Sequence, residues 1–275
     1  MFLHQKELQF EAKPDKPNPL IAKYLQELIG GQYGEMSVAM QYLFQGWSCR
    51  GEEKYKDMLM DIATEEIGHV EMLATMVARL LEGAPVEDQE AAMKKDPAIG
   101  AIISGMNPQH AIVAGLGPRP ADSVGNPWSG AYIIASGNLL ADFRANLNAE
   151  SQGRLQVARI YEMIDDRGVK DLLSVLLARD SYHQNLWAQA VKELEEKEGT
   201  ILVPSTFPRN EERLDIAYDF YNFSEGDQSK EGSWAKGKAL DGEGEYQWLS
   251  TPKVEGKAPK LDPVTPKMNG TPPEK

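Results

Sequence analysis

The chain has 275 residues, with 29 Lys and Arg against 42 Asp and Glu, a formal net charge of −13 and 41% hydrophobic residues. That is chain enough to bury the core of one large domain or two small ones, and too apolar for a wholly disordered protein. The acidic balance argues against a general nucleic-acid or anionic-membrane binder, and the one cysteine, Cys49, leaves only oxygen and nitrogen to hold any metal.

Residues 1–18 contain acids and no apolar run of secretory-signal length, and form an extended amino-terminal segment. No later stretch approaches the ~18–20 apolar residues of a membrane span, so a soluble, cytoplasmic protein is expected. Asn18 as cap and Pro19 at the first helical position open a helix that runs through Ile21, Leu25, Leu28, Ala39 and Leu43 towards Trp47. A second helix carries Tyr55, Leu59, Ile62, Leu73, Met76 and Leu80 and stops at Gly83 and Pro85. Residues 84–129, rich in Gly and Pro, follow as a long connection before a third helix from about Gly130 to Asp166. The fourth starts near Gly168 and carries Leu172, Leu176, Trp187, Ala190 and Leu194. Two helical hairpins joined by one crossover, over 19–198, form an all-α architecture with the connectivity of ferritin-like four-helix bundles. Beyond Gly199 the helical period vanishes. Aromatic residues over 200–250 predict an extended irregular arm laid over the bundle or a neighbouring subunit, and only the last dozen residues read as flexible.

Polar residues interrupt each apolar stripe. Gln32, Glu35 and Tyr42 continue the stripe of the first helix, Glu66 and His69 that of the second, Glu150 and Arg154 that of the third, and Asp180 and His183 that of the fourth. Each helix thus points an acid into one interior. Buried acids must neutralise, pair or bind cations, and Arg154 alone cannot pair four of them. An acid three residues before a histidine, at two of four histidines, has a chance probability on the order of 0.1 and is weak evidence alone. Here both motifs lie on apolar stripes, both occupy the second helix of a hairpin, and each first helix adds one stripe glutamate. Glu35 precedes His69 by 34 residues and Glu150 precedes His183 by 33, so the hairpins look like matching halves of a pseudo-twofold dinuclear site.

Other polar residues have plainer readings. Glu65 is one turn from His69 as well, but Glu66 keeps better phase with Ile62 and Leu73 and is taken as the ligand. The row Asn138, Asp142, Asn146 reads as a solvated or hydrogen-bonding face, with Asn146 a candidate beside the site. Gly30, Gly31 and Gly34 suit a close backbone approach or a small ligand, or equally a packing groove or helix irregularity. Met58, Met60, Met72 and Met76 read as core, and His4 and His110 as loop residues.

The segments GQYGEMSVAMQY, IATEEIGHVEM, GNLLADFRANLNAESQGR and ARDSYHQNLWAQA closely resemble the non-haem manganese catalases, as does YDFYNFSEGD in the tail. The resemblance implies disproportionation of hydrogen peroxide to water and dioxygen by a manganese pair cycling between Mn(II)2 and Mn(III)2. It implies two Mn ions per chain, with Glu35 and His69 on one, Glu150 and His183 on the other and Glu66 bridging. It also implies a homohexamer gripped by the carboxy-terminal arm. The sequence departs from Glu-x-x-His at Asp180-x-x-His183, so Asp180 is read as an outer acid. Ala149 stands where some members carry arginine. Asp180 and Tyr42 are the candidates for moving or positioning protons. Two other readings share the pattern: a di-iron ferroxidase or oxygenase, and a coat or assembly protein with a vestigial metal site.

A structural Ca²⁺ is implied too. Asp57 and Asp61, four apart and turned from the stripe, with Asn222, Ser224 and Gly226 of the tail, supply the hard oxygen donors calcium takes. No nucleic acid or membrane partner is expected.

Overall fold

The computed structural model describes residues 3–84, 105–262, 265 and 268. Two compact units divide the chain after Ser205. The sequence-based boundary, with the arm starting at Gly199, falls seven residues earlier. The first unit contains α1 (Pro19–Gly30), α2 (Glu35–Ser48), α3 (Glu53–Leu80), a short α4 (Pro108–Ile112), α5 (Leu139–Met163) and α6 (Arg167–Glu198). In effect α1 with α2 forms one leg of a bundle whose other legs are α3, α5 and α6.

The first long helix is therefore two. Gly31 takes an extended conformation, ψ 169°, and α2 restarts at Glu35 behind Gly34. Glycine costs helix stability, and three glycines within five residues make the break affordable. A Cβ at Gly30 would lie 2.3 Å from the carbonyl oxygen of Ala121, and one at Gly34 2.7 Å from that of Leu28. The cluster serves close backbone approach as well as helix irregularity. The break also changes helical phase, which leaves Gln32 exposed although the unbroken stripe placed it inward. Glu35 becomes the first residue of α2 and faces the interior.

Asn18 caps α1 as the sequence indicates, its side chain accepting from the backbone of Leu20 and Ile21. The third long helix begins at Leu139, later than the predicted Gly130, because Asn138 is its cap and accepts from the amide of Ala141. Only a three-residue 3-10 turn, Gly130–Tyr132, occupies the predicted start. Asp166 caps α6 through the amide of Val169, and Gly199 ends it in the left-handed conformation. His110 lies in α4 and is fully buried, its Nδ1 2.9 Å from the carbonyl of Gly117, where the sequence read a loop residue. Of the predicted crossover, 85–104 lies outside the described residues.

Two buried clusters fill the unit. Leu25, Leu28, Leu73, Met76, Leu80, Leu172 and Leu176 lie in one, and Tyr42, Leu59, Ile62, Leu140, Phe143 and Trp187 in the other. The second half of the crossover is tied to the bundle by buried amides: Gln26 bonds the carbonyls of Arg119 and Ala121. Gln41 accepts from the amide of Ile134 at 2.8 Å.

In the second unit the tail is less irregular than the sequence implied. β1 (Asp219–Tyr221) runs parallel to β3 (Glu245–Leu249), and β2 (Lys236–Lys238) antiparallel to it, with β3 central. The residues are half-buried or exposed and the strands are short, so no alternating pattern marked them. Arg209 gathers Glu212, Glu243 and the hydroxyl of Tyr218, joining the start of this unit to the turn before β3.

Candidate metal centre

Five side chains from four helices meet in the interior of the bundle. Glu35 lies at the amino end of α2, Glu66 and His69 at three-residue spacing on α3, Glu150 on α5 and His183 on α6. His69, His183 and Glu66 have no exposure, and Glu150 and Glu35 retain 4% and 7%. The resulting arrangement is nearly symmetric about Glu66. Its Oε2 lies 2.6 Å from Nδ1 of His69 and its Oε1 2.7 Å from Nδ1 of His183. Glu35 Oε2 is 3.7 Å from the same nitrogen of His69, and Glu150 Oε1 is 3.7 Å from that of His183.

Two donor groups, Glu35–Glu66–His69 and Glu66–Glu150–His183, each bring ligand atoms within 4.8 Å of one another, with Glu66 common to both. Three acids share a dry interior. Burial and the neighbouring Glu66 push the Glu35 carboxyl well above the usual range and that of Glu150 up to about 8. Burial would raise Glu66 too, but the two histidines outweigh it and hold Glu66 well below. Burial opposes charge on His69 and His183, yet the carboxylates around them win, raising His69 strongly and His183 to about 10.

The residues fit a pair of hard cations. Glu66 Oε1 and His183 Nδ1, both buried, have no hydrogen-bond partner although they lie 2.7 Å apart, because their geometry is wrong for a hydrogen bond. Buried polar atoms without a partner are costly in a protein interior, and a metal that displaces the imidazole proton satisfies both. The donor set of carboxylates and imidazoles suits manganese or iron.

Glu65, passed over on phase, is the residue that sequence reasoning missed. It lies on the opposite side of both rings, 3.3 Å from Nε2 of His183 and 3.6 Å from Nε2 of His69. Arg179 grips both its oxygens, Nε at 2.5 Å and Nη2 at 3.0 Å, and lies over the ring of Tyr182. Only the sequence's EEIGH and an arginine four residues before His183 hinted at this. Adjacent helical residues diverge by about 100°, so Glu65 and Glu66 straddle the imidazoles instead of sharing a face.

Tyr42 is fully buried and its hydroxyl donates to Glu150 Oε1 at 2.6 Å. Burial and Glu150 keep that phenol protonated, its pKa well above the ordinary value. Asp180 is buried at 4% but belongs to neither donor group, and burial with Glu66 raises it to about 7. Asn146 is buried between Gln41 and Gln45, accepting from both at 2.8 and 2.9 Å and donating to Gln45. Asp142 is buried as well, and accepts from the amides of Ser136 and Gly137. Of the two readings of that row, Asn146 and Asp142 take the hydrogen-bonding one and not the solvated one. Asp57 and Asp61 are exposed on α3, and in the tail Asn222 donates to the carbonyl of Gly226 at 2.8 Å while accepting from the amide of Ser224.

A mostly helical bundle with one carboxylate shared by two Glu–His sets has the ferritin-like architecture, with residues that could hold metal. The comparisons give the family. The sequence profile described as Manganese containing catalase matches residues 1–274. The chain is 62% identical over 271 residues to the manganese catalase of Bacillus subtilis (strain 168), covering 98% of each protein. It is 60% identical over 273 residues to the uncharacterized protein YjqC of the same strain, covering 99% of this chain and 98% of that one. The crystal structure of KatB, a manganese catalase from Anabaena, matches with a TM-score of 0.69 at 29% identity, covering 92% of this chain and 100% of KatB. The chain belongs to the manganese-containing catalase family.

Proposed function

We propose that the chain is a manganese-dependent catalase that disproportionates hydrogen peroxide to water and dioxygen. The observation that carries this is Glu66 set between two histidines with its oxygens 2.6 and 2.7 Å from their facing nitrogens. Glu35 and His69 would hold one manganese, Glu150 and His183 the other, and Glu66 would bridge. Manganese held there would supply two-electron redox chemistry, reducing one peroxide and oxidising the next.

The chain's own residues fix the ligands and handle protons. Tyr42 holds Glu150 by its hydroxyl and stays a neutral donor. Glu65, clamped by Arg179, faces the outer nitrogens of both histidines and so favours the tautomer whose Nδ1 is free for metal. Asp180, buried one turn from His183, would give protons as one peroxide is cleaved to water and take them back as the next is oxidised to dioxygen. Oxygen release from peroxide by manganese-loaded protein tests the reading.

One structural Ca²⁺ per chain, taken by the oxygens of Asp57, Asp61, Asn222, Ser224 and Gly226, completes the metal content. Its support is donor chemistry: two exposed carboxylates and a turn rich in oxygens. Assembly into a homohexamer through the tail is supported by Phe223, Trp234 and Leu240, each more than half exposed. A single cysteine and no disulfide requirement suit a reducing cytoplasm. Among the described residues no helix is long and apolar enough to cross a membrane.

A further inference from the structure

Four aromatic rings run outward from the metal-facing carboxylates. Tyr42 packs on Trp187 with ring centroids 5.0 Å apart, Trp187 on Phe143 at 5.2 Å, and Phe143 on Tyr55 at 5.7 Å. Packing alone accounts for these contacts. The distribution of proton acceptors along the row bears on chemistry. At the inner end the Tyr42 hydroxyl donates to Glu150 Oε1 at 2.6 Å. At the outer end the Tyr55 hydroxyl donates to Glu193 Oε1 at 2.9 Å, and the Glu193 side chain is 43% exposed. Between them the indole Nε1 of Trp187 is buried with no hydrogen-bond partner. Lys54 lies over the Tyr55 ring and pairs with Glu193, which balances its charge.

A phenol gives up an electron readily only if its proton has somewhere to go. An indole without a base loses its electron but keeps its proton, so an oxidising equivalent placed there stays mobile and moves on. The geometry points to Tyr42, Trp187 and Tyr55 as a one-electron relay that carries stray oxidising equivalents from the metal centre to the edge of the bundle. Phe143 is the spacer and is not oxidised. The relay rests on the peroxide reading above.

The step arises when hydrogen peroxide takes one electron in place of two and its O–O bond breaks into hydroxide and hydroxyl radical. The hydroxyl radical takes the hydrogen atom of the Tyr42 phenol, forming water and a tyrosyl radical. Trp187 gives that radical one electron and Tyr42 takes a proton back from the water just formed, which becomes hydroxide and is neutralised by one proton from solvent. Tyr55 then returns one electron to Trp187 and passes its phenolic proton to Glu193. A soluble thiolate reduces the Tyr55 radical, becoming a thiyl radical, and the proton returns from Glu193. The net change is hydroxyl radical, thiolate and one proton giving water and thiyl radical.

Manganese-loaded protein, mixed with hydrogen peroxide and freeze-quenched, is read by EPR beside Trp187→Phe and Tyr55→Phe, with oxidised peptides mapped by mass spectrometry. The expected result is a Tyr55 radical signal that Tyr55→Phe removes and that Trp187→Phe replaces with the signal of the Tyr42 radical. In both variants covalent oxidation should move inward to Tyr42 and its neighbours, while the initial rate of oxygen release stays that of the unaltered protein. Tyr55→Phe deletes one hydroxyl from a buried ring, next to the partly exposed Glu193, and guards against misfolding of the Trp187 variant. Oxygen release with a tyrosyl signal unchanged in Tyr55→Phe, or with the same oxidised peptides in all three proteins, would overturn the relay alone. No oxygen release from the unaltered protein would overturn the peroxide reading and the relay together.

Discussion

Glu65 and Glu66 are neighbours in sequence yet address opposite edges of the same two imidazoles. Glu66 lies within 2.7 Å of both Nδ1 atoms, and Glu65 lies 3.3 and 3.6 Å from the two Nε2 atoms. One turn of α3 thus supplies both the shared carboxylate and the group that orients the rings. Glu65→Gln replaces a charged acceptor with a neutral amide and releases Arg179. Manganese affinity should fall by about 10–100-fold, the usual effect of losing an outer carboxylate on a ligating histidine, as measured by metal retained against a graded chelator. Retention equal to that of the unaltered protein would reduce Glu65 to a partner of Arg179.

Glu66→Ala and Asp180→Asn should separate a shared ligand from an outer acid. Glu66 is common to both donor groups and Asp180 belongs to neither. Removing Glu66 should lose metal and activity together, whereas Asp180→Asn should keep most of the metal and slow oxygen release. If Asp180→Asn strips one manganese from the protein, Asp180 is a ligand.

Much of this site is legible in the sequence because metal ligands must face inward and inward positions have a helical period. Glu35, Glu66, His69, Glu150 and His183 all interrupt apolar stripes, and all five meet. The phase argument failed where the helix itself was broken. Gln32 followed the stripe of an uninterrupted helix, and the glycines at 30, 31 and 34 ended that helix first. It also failed for Glu65, because a group facing the outer nitrogens lies off the stripe by design. The burial of Asn146 and Asp142 was hidden too, since their partners Gln41, Gln45, Ser136 and Gly137 come from α2 and the crossover, at distances periodicity does not reach. The short strands of the tail are too exposed to leave an alternating trace.

Manganese uptake should release protons, and apparent affinity should rise with pH. In the metal-free protein Glu150 is raised to about 8 and His183 to about 10, so both carry protons at neutral pH that a metal must displace. Raising pH removes those protons beforehand, so binding strengthens as pH climbs towards about 10, most steeply below about 8 where both groups are protonated. Indicator dye in weakly buffered solution measures the release directly. Affinity that weakens over that interval, with no protons released, would contradict the assignment of these two groups as ligands.

Calcium should matter to assembly before it matters to manganese. Chelation at a strength that spares manganese, or replacing Asp57 and Asp61 with Ser, should lower the sedimentation coefficient and the melting temperature. A double variant with unchanged sedimentation, unchanged melting and undiminished calcium would show that these acids are only a solvated face.

The most direct measurement is metal content taken together with oxygen release on the same preparation. Protein purified from manganese-supplemented cells should hold about two manganese ions per chain, as a carboxylate-bridged pair requires. It should release dioxygen from hydrogen peroxide with no haem absorbance, and lose that release as the manganese is chelated away. Stoichiometric iron, with no oxygen release after reconstitution with manganese, would contradict a dimanganese catalase.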